Sequence, residues 1–478
     1  MLKKTVFSHS CKAVTAGLAL LVGACLATQA QAGPRIEFGE DGGFLQVDLK
    51  GQIFVENTSK GGGIKGDHSR TDIHFMRNRI GMTGMLDETW GYKIQTCGNT
   101  GTTKMPFLYG LSAQDNDWND RDVRVIDAYA IANLDPAFNL KVGLTKIPLT
   151  RANLDDCFAP LSQDRSMFAY SAYGNSPAKF SRDLGGVAYG RFFDDRLTYF
   201  AGIFQGREGS SAVQSPLPTP AGGGTAPGQT FISSNAPKTM LEYVGRITFD
   251  FLESEGGSGY QGTYFGEKNV LNIGFGMAYQ PDAAYKYTSN TGAPSPSMNA
   301  FGSVITPGKP KDTVDYTAYA LDLMFEHKLP VGVVTVTGQY LKTDFEDAWK
   351  TNSTGDRLSI SAGMNGQKEG GYGKMAYILP FTIGKAGKIQ PYALYEYWEF
   401  AHLMGKNEQI LNQYGGGINY YVSGDNRIRL TGEYLKTEFN QAINYPVAGV
   451  IGTSPTTSGY TANIESFDTF RMMLQVVF

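Results

Sequence analysis

Two pairs of arginines stand two residues apart in this chain, Arg77 with Arg79 and Arg427 with Arg429. In a β-strand, residues i and i+2 share a face, so both guanidiniums of a pair would point the same way. A guanidinium carries several hydrogen-bond donors and a permanent charge, so two on one face could bind a permeating anion one after the other. The competing interpretation is that these arginines bind carboxylates of a nearby loop and hold it in place. The spacing leaves both open.

Other charged residues share the polar faces of the predicted strands. The ten cations are Lys50, Arg77, Arg79, Lys93, Arg124, Lys141, Arg246, Arg427, Arg429 and Arg471, and the seven anions are Asp48, Glu56, Glu242, Asp250, Asp322, Glu396 and Glu433. The slight basic excess is compatible with a weak preference for anions. Alternatively, these charges pair with each other across neighbouring strands and only make the wall formed by these strands more rigid.

Two cysteines, Cys97 and Cys157, follow the predicted leader described below. Secreted proteins with two thiols often bridge them. Cys97 falls near the outer end of a strand and Cys157 in a long loop, so a disulfide would pin that loop to the wall. Two free thiols are the alternative, because the sequence gives no distance.

Residue patterns for catalysis are missing from the sequence. The histidines after the leader, His68, His74, His327 and His402, have no metal-ligand spacing and no serine nucleophile motif around them. A Cys-x-x-Cys-His haem site is also missing. We therefore expect no enzyme activity, no cofactor and no metal. A hydrolase built on a barrel is the weakest hypothesis for this chain.

The elements that must position the charged residues are β-strands. Residues 45–56 alternate, with Leu45, Val47 and Leu49 on one face and Asp48 and Lys50 on the other. Similar segments occur at residues 71–86, 91–100, 122–134, 138–146, 183–193, 196–205, 240–252, 269–280, 314–328, 331–345, 370–379, 388–398, 413–422, 427–439 and 467–478. With the first they make 16, an even number as a closed antiparallel transmembrane barrel requires. The sequence thus predicts an all-β fold in which the last strand pairs with the first.

The first 32 residues read as a secretory signal peptide. Lys3, Lys4 and Lys12 precede a short apolar stretch, and Ala-Gln-Ala at 30–32 is a cleavage site. A rival cut before Cys25 would acylate that residue. Cleavage after Ala32 leaves residues 33–478 with 39 basic and 45 acidic residues, a formal charge of -6. This argues against nucleic acid as a partner.

Connections between the predicted strands alternate between short and long. Short ones, such as residues 135–136 and 423–426, carry turn residues, and long ones are rich in Gly, Pro, Ser and Asn. Short periplasmic turns and long outer loops are typical of outer-membrane barrels. Residues 253–268 are an exception, a long connection on the side where turns should be short.

Several ordered segments resemble the phosphate-selective porin O/P family. They are residues 75–84 (FMRNRIGMTG), 90–93 (WGYK), 127–129 (DAY), 142–148 (VGLTKIP), 181–187 (SRDLGGV) and 417–426 (GINYYVSGDN). The resemblance implies a homotrimeric porin whose third long loop folds into the lumen, with Phe478 as an assembly signal. That loop, residues 149–180, carries Arg151, Asp155, Asp156 and Arg165. Because its charges have both signs, selectivity for phosphate does not follow.

The leading hypothesis is a passive diffusion channel in the bacterial outer membrane for small hydrophilic solutes or ions, with weak preference for phosphate-like anions. Its partners would be outer-membrane lipid, lipopolysaccharide and permeant ions. The alternative is a barrel that sheathes a partner protein, such as a multihaem cytochrome in an electron conduit. The pore-lining candidates are Arg77, Arg79, Lys141, Arg151, Asp155, Asp156, Arg165, Arg246, Arg427, Arg429 and Arg471.

Overall fold

The computed structural model describes residues 33–62, 68–98, 123–166, 168–169, 182–206, 240–256, 259–286, 312–346, 367–403, 406–446 and 461–478. The predicted signal peptide, including the rival acylation residue Cys25, lies outside the described residues. Residues 170–180 of the predicted third loop lie outside them as well.

In this part of the chain there are 18 strands and one short helix, α1 (Arg151–Leu154). The strands are β1 (Arg35–Phe38), β2 (Gly43–Gly62), β3 (His68–Met85), β4 (Trp90–Gly98), β5 (Val123–Asp135), β6 (Phe138–Lys146), β7 (Arg182–Phe192), β8 (Leu197–Phe204), β9 (Glu242–Asp250), β10 (Val270–Lys286), β11 (Asp312–Lys328), β12 (Val333–Asp344), β13 (Lys368–Ile378), β14 (Thr382–Ile383), β15 (Gly387–Leu403), β16 (Lys406–Tyr421), β17 (Ile428–Pro446) and β18 (Thr461–Val477). Among the described residues, no helix is both long and apolar enough to cross a membrane.

All the strands except the short β1 and β14, 16 in number, pair antiparallel around a closed ring. The ring closes where β18 pairs with β2, with Arg471 opposite Glu56. There Leu49 N–H donates to the Phe478 carbonyl at 3.0 Å, and Phe478 N–H donates back to Leu49 at 2.8 Å. The predicted 16-stranded antiparallel barrel is confirmed.

Side chains alternate between the outside of the barrel and its lumen. On β2, Leu45 and Leu49 are exposed on the outside, whereas Gln52 and Glu56 are buried within. Comparable exposed apolar residues, such as Val142 and Ile247, occur around the ring. Such a belt would be an aggregation-prone surface in water and is what lipid covers on a membrane barrel. The chain is therefore an outer-membrane β-barrel of bacterial type.

Strand ends differ from the prediction mainly on the outer side. β17 runs to Pro446 instead of residue 439, and β18 begins at Thr461 instead of residue 467. The two strands continue to pair beyond an irregularity between Glu438 and Ile443. Beyond the lipid belt a strand needs no apolar face, so the alternation that reveals it fades.

Periplasmic turns are short and use local hydrogen bonds. Asp87 Oδ1, for example, accepts the N–H groups of Thr89 and Trp90 at 2.7 Å each. The connection between β9 and β10 is long, as the sequence indicated. We call its described residues 253–256 and 259–269 the periplasmic insert; Glu255, Tyr260 and Tyr264 in it are buried inside the barrel.

Candidate functional site

A long loop after β6 enters the barrel as the resemblance implied, and we call its described residues 147–166 and 168–169 the lumen loop. It contains α1, whose N-cap is Thr150, with the threonine side chain accepting the N–H of Asn153. All four residues of the helix are buried. A helix of one turn is unstable alone, so its position depends on the surrounding walls.

Wall side chains bind a run of backbone carbonyls in the lumen loop. The donors are Gln52 to Cys157 (3.2 Å), Gln475 to Phe158 (2.7 Å), Arg429 to Pro160 (2.7 Å) and Asn419 to Leu161 (2.8 Å). They come from β2, β18, β17 and β16 in the order of the ring. Irregular backbone inside a barrel needs such partners, because a buried carbonyl without one is costly.

Charged contacts seat the loop on the same part of the ring. Arg77 on β3 holds Asp164 with two hydrogen bonds of 2.8 and 2.9 Å. Lys374 on β13 donates to Ser162 Oγ at 2.6 Å. The loop hydroxyl of Ser166 donates to Glu396 on β15 at 2.5 Å. The lumen loop is thus fixed against β12–β18 and β2–β3.

The periplasmic insert meets the lumen loop from the other side. Arg151 donates to both carboxylate oxygens of Glu255, at 2.7 and 2.6 Å, and both side chains are 1% exposed. The backbone of Asp156 donates to the Tyr260 carbonyl at 3.0 Å. Glu255 also accepts the hydroxyl of Tyr264 at 2.7 Å. The insert therefore braces the loop.

Glu326 on β11 fixes the insert in turn. Its carboxylate accepts the N–H groups of Tyr264 and Gly266 at 2.9 Å and the hydroxyl of Thr263 at 2.8 Å. Thr335 on β12 donates to the same carboxylate at 3.0 Å. A carboxylate with this many donors is a firm anchor inside the protein.

Open space remains between these two segments and the wall formed by β2–β8. This chamber has a volume of about 330 Å³. Its charged lining consists of two carboxylates, Asp127 and Asp156, and six cations: Lys50, Arg79, Lys93, Lys141, Lys146 and Arg182. The formal charge of the lining is therefore +4.

Both carboxylates of the chamber are already in ion pairs. Arg182 binds the two oxygens of Asp127 at 2.8 and 3.2 Å. Lys50 lies 3.3 Å from Asp156. The remaining charge is positive and resides on Arg79, Lys93, Lys141 and Lys146. A small mobile anion in this space would thus meet a field that attracts it.

Aromatic rings line the periplasmic half of the chamber. Tyr189 on β7 and Phe200 on β8 are cross-strand neighbours whose rings stack at 6.1 Å. The ammonium of Lys141 lies 4.7 Å from the Tyr189 ring and 5.7 Å from the Tyr129 ring. Lys93 is the cross-strand neighbour of Tyr129. Two lysines and three rings therefore share this half.

Of the predicted pore-lining residues, Arg79, Lys141 and Asp156 line the chamber. The others, except Arg427, lie in buried contacts. Arg246 pairs with Asp322 at 2.6 and 2.8 Å, Arg471 pairs with Glu433, and Arg165 donates to the carbonyls of Ala152 and Asp155. Arg77, Arg151, Asp155 and Arg429 contact the loop or insert as described, Asp155 through a bridge to Tyr260.

Arg427 lies outside the strands, although the sequence placed it on a strand facing the lumen. β17 begins at Ile428, and Arg427 lies in the preceding turn, where its Nε donates to Asp425 at 2.7 Å. Arg429 does point inward, but it binds the Pro160 carbonyl. Because the preceding turn extends through Arg427, β17 starts one residue too late to hold both arginines as a stepped pair.

Of the two alternatives for Cys97 and Cys157, the structure has the unbridged one, because no disulfide joins them. Cys97 is the cross-strand neighbour of Arg79. The Arg79 guanidinium interacts electrostatically with both cysteines.

Four cations of the chamber were not among the pore-lining candidates. Lys50 and Lys93 follow from strand alternation and were counted as lumen charges. Lys146 and Arg182 are cross-strand partners at the outer ends of β6 and β7. Alternation from Lys141 puts residue 146 on the outside, so the sequence held no signal for Lys146. In the structure its ammonium donates to the Asp155 carbonyl at 2.9 Å.

No group of three or more His, Cys, Asp or Glu side chains placed to hold a metal occurs among the described residues. The chamber instead offers ammonium, guanidinium and ring faces. Its chemistry is that of a binding or passage site for anions, since it combines fixed donors with space for a small solute.

Comparison with known proteins gives distant similarities. No family model matches the chain, and no curated protein matches it. Among solved structures, the anion-selective porin from Comamonas acidovorans is similar, with a TM-score of 0.46 and 10% identity over 91% of this chain and 100% of that chain. The outer membrane channel DcaP of Acinetobacter baumannii has a TM-score of 0.45 and 10% identity over 93% and 100%. With scores below 0.5 these similarities carry no argument, and the barrel rests on its own strand pairing.

Proposed function

We propose that this protein is an outer-membrane diffusion channel for small hydrophilic solutes with a preference for anions. The observation that carries the proposal is the chamber along β2–β8, whose lining combines six cations with two carboxylates that are already paired. Fixed positive charge in a narrow aqueous passage raises the local concentration of anions.

Planar lipid bilayers with the purified full chain test this directly. In a potassium chloride gradient, the reversal potential should show chloride more permeant than potassium. Replacing Lys93 and Lys141 with Gln should lower the anion-to-cation permeability ratio by a factor of about two to five, because two unit charges leave the passage. Equal or greater permeability of potassium in the unmodified protein contradicts the proposal.

A charge-matched control is available on the outside of the barrel. Lys342 and Lys436 are half-exposed, and each lies beside a glutamate, at 3.2 and 2.6 Å. The Lys342→Gln, Lys436→Gln double variant removes the same charge without touching the chamber. Its reversal potential should equal that of the unmodified protein.

Phosphate is one expected permeant, given the resemblance to phosphate-selective porins. The lumen loop, however, has no one-sided cluster of basic residues; Asp155, Asp156 and Asp164 stand beside Arg151 and Arg165. We therefore expect phosphate to pass with mild preference. Strong block of the chloride current by phosphate at low concentration contradicts this reading of the loop.

The competing function is a barrel that sheathes a partner protein. The lumen loop and periplasmic insert occupy the interior and are joined by the buried Arg151–Glu255 pair. A folded cytochrome would have to displace both. Haem absorbance in the purified barrel, together with silence in bilayers, would favour the sheath over the channel.

Trimer formation and contacts with lipopolysaccharide stay predictions from the family resemblance. The mass of the detergent-solubilised protein, corrected for bound detergent, checks the first. A homotrimer of the mature chain is expected; a monomeric mass contradicts that assembly.

A further inference from the structure

We propose that the chamber prefers organic anions with a planar apolar body, such as aromatic carboxylates, over inorganic phosphate. This inference rests on the proposed function and names the substrate class of the same passage. The observation behind it is that Lys141 and Lys93 share the periplasmic half of the chamber with the rings of Tyr129, Tyr189 and Phe200.

The two halves of the chamber differ in chemistry. Both carboxylates of the lining lie in the outer half, Asp127 with Arg182 at the start of β7 and Asp156 with Lys50. The periplasmic half has ammonium groups, stacked rings and the buried side chain of Val187. Positive charge and an apolar surface therefore meet there.

Inorganic phosphate fits this half poorly. It is hydrated on every side, and a site that replaces its water must supply donors all around it. The ring faces of Tyr189 and Phe200 and the methyl groups of Val187 supply none. Phosphate would lose water on that side without compensation.

An aromatic carboxylate matches both features. Its carboxylate can accept from Lys141 and Lys93, and its ring can stack on the Tyr189–Phe200 pair. Lys141 already lies 4.7 Å from the Tyr189 ring, so a ring placed beside Tyr189 brings its carboxylate within reach of that ammonium. The volume of about 330 Å³ lies at the low end of about 300–1,000 Å³ for small-molecule sites.

The test measures block of the chloride current in planar bilayers by benzoate, cyclohexanecarboxylate and phosphate. Benzoate should reach half-block at a concentration roughly three- to tenfold below that of phosphate, the range expected from one stacking contact. Tyr189→Leu keeps an apolar side chain and removes the ring. It should erase benzoate's advantage over cyclohexanecarboxylate.

The results of these block measurements distinguish a failure of the inference from a failure of the proposed function on which it rests. A chloride-selective channel blocked equally by benzoate and phosphate, or more strongly by phosphate, overturns the inference and leaves the channel intact. Benzoate block unaffected by Tyr189→Leu overturns the role of the ring. A barrel that conducts potassium as readily as chloride overturns the proposed function and the inference together. A Phe200→Leu variant repeats the test on the second ring should Tyr189→Leu fail to assemble.

Discussion

Arg77 and Arg79 differ in what they contact, which bears on the two interpretations of their spacing: an anion relay or an anchor for a loop. Its guanidinium points into the lumen with that of Arg79, as the i, i+2 spacing predicted. Arg77, however, is bound to Asp164 of the lumen loop, whereas Arg79 lines the chamber. Arg77 therefore fits the anchor for the loop, whereas Arg79 fits a charge on the passage.

The Arg77–Asp164 contact predicts how the channel responds to acid. Burial raises the carboxyl pKa of Asp164, but the charge and hydrogen bonds of Arg77 outweigh it, so the pKa lies below its usual value. Its contribution to seating the loop is then full above about pH 4 and is lost as the pH falls through the depressed value. We expect current noise at pH 5 to match that at neutral pH and to increase when the pH falls below about 4.

Asp164→Asn removes the carboxylate charge at every pH, so this variant should show at neutral pH the increased current noise that the unmodified protein shows in acid. Asp195→Asn, which alters an exposed carboxylate in a periplasmic turn, is the matched control and should behave like the unmodified protein. Identical noise for Asp164→Asn and the control at pH 7 contradicts the prediction.

The absence of a bridge between Cys97 and Cys157 gives a second prediction at this scale. Because Cys97 and Cys157 are not bridged, a reductant should leave electrophoretic migration and conductance unchanged. A shift in migration on reduction that is absent in a Cys97→Ser variant would contradict this prediction and support the disulfide. Unreduced and reduced samples run side by side provide the measurement.

The lumen loop and periplasmic insert depend on each other, which is a property of elements rather than of residues. Removing one partner of a buried ion pair costs about 3–5 kcal/mol, because the other charge is left without compensation. Glu255→Gln should therefore loosen the loop, raising mean conductance and current noise and lowering the urea midpoint for loss of the folded, fast-migrating band on gels.

Glu438→Gln is the control for that change. Glu438 pairs with Lys436 on the outside of the barrel, where both side chains are more than a third exposed. Exposed pairs contribute about 0–1 kcal/mol, so this variant should keep the unmodified midpoint. A Glu255→Gln protein with unchanged midpoint and conductance would show that the insert does not brace the loop.

Strands and interior loops differ in how far sequence predicts them. A strand between lipid and water must alternate, so the sequence predicted which residues of β2 and β18 face the outside and which face the lumen. The periplasmic insert carries no period, and only its excess length pointed to something unusual. The pattern of charged residues does not reveal the carbonyl contacts of Gln52, Gln475 and Asn419, because neutral amide side chains seat much of the loop.

The whole barrel is completed by one seam, between β2 and β18. Phe478 exchanges two backbone hydrogen bonds with Leu49 at its periplasmic end. Deleting Phe478 should lower the amount of assembled barrel in the outer membrane, whereas Phe478→Tyr, which keeps the backbone and an aromatic ring, should preserve it. Heat-modifiable migration of membrane fractions measures the yield. Equal yields from the deletion and from Phe478→Tyr would contradict an assembly role.

The seating of the lumen loop also has a consequence for the order of folding. Its carbonyls are bound by residues as far along the chain as Gln475, 317 positions after Phe158. Contacts between such distant positions form late, because the chain between them must first be ordered. The loop therefore cannot reach its native position until the last strand has arrived. The passage would be defined in the final step of assembly, and a barrel caught before closure would be open and unselective.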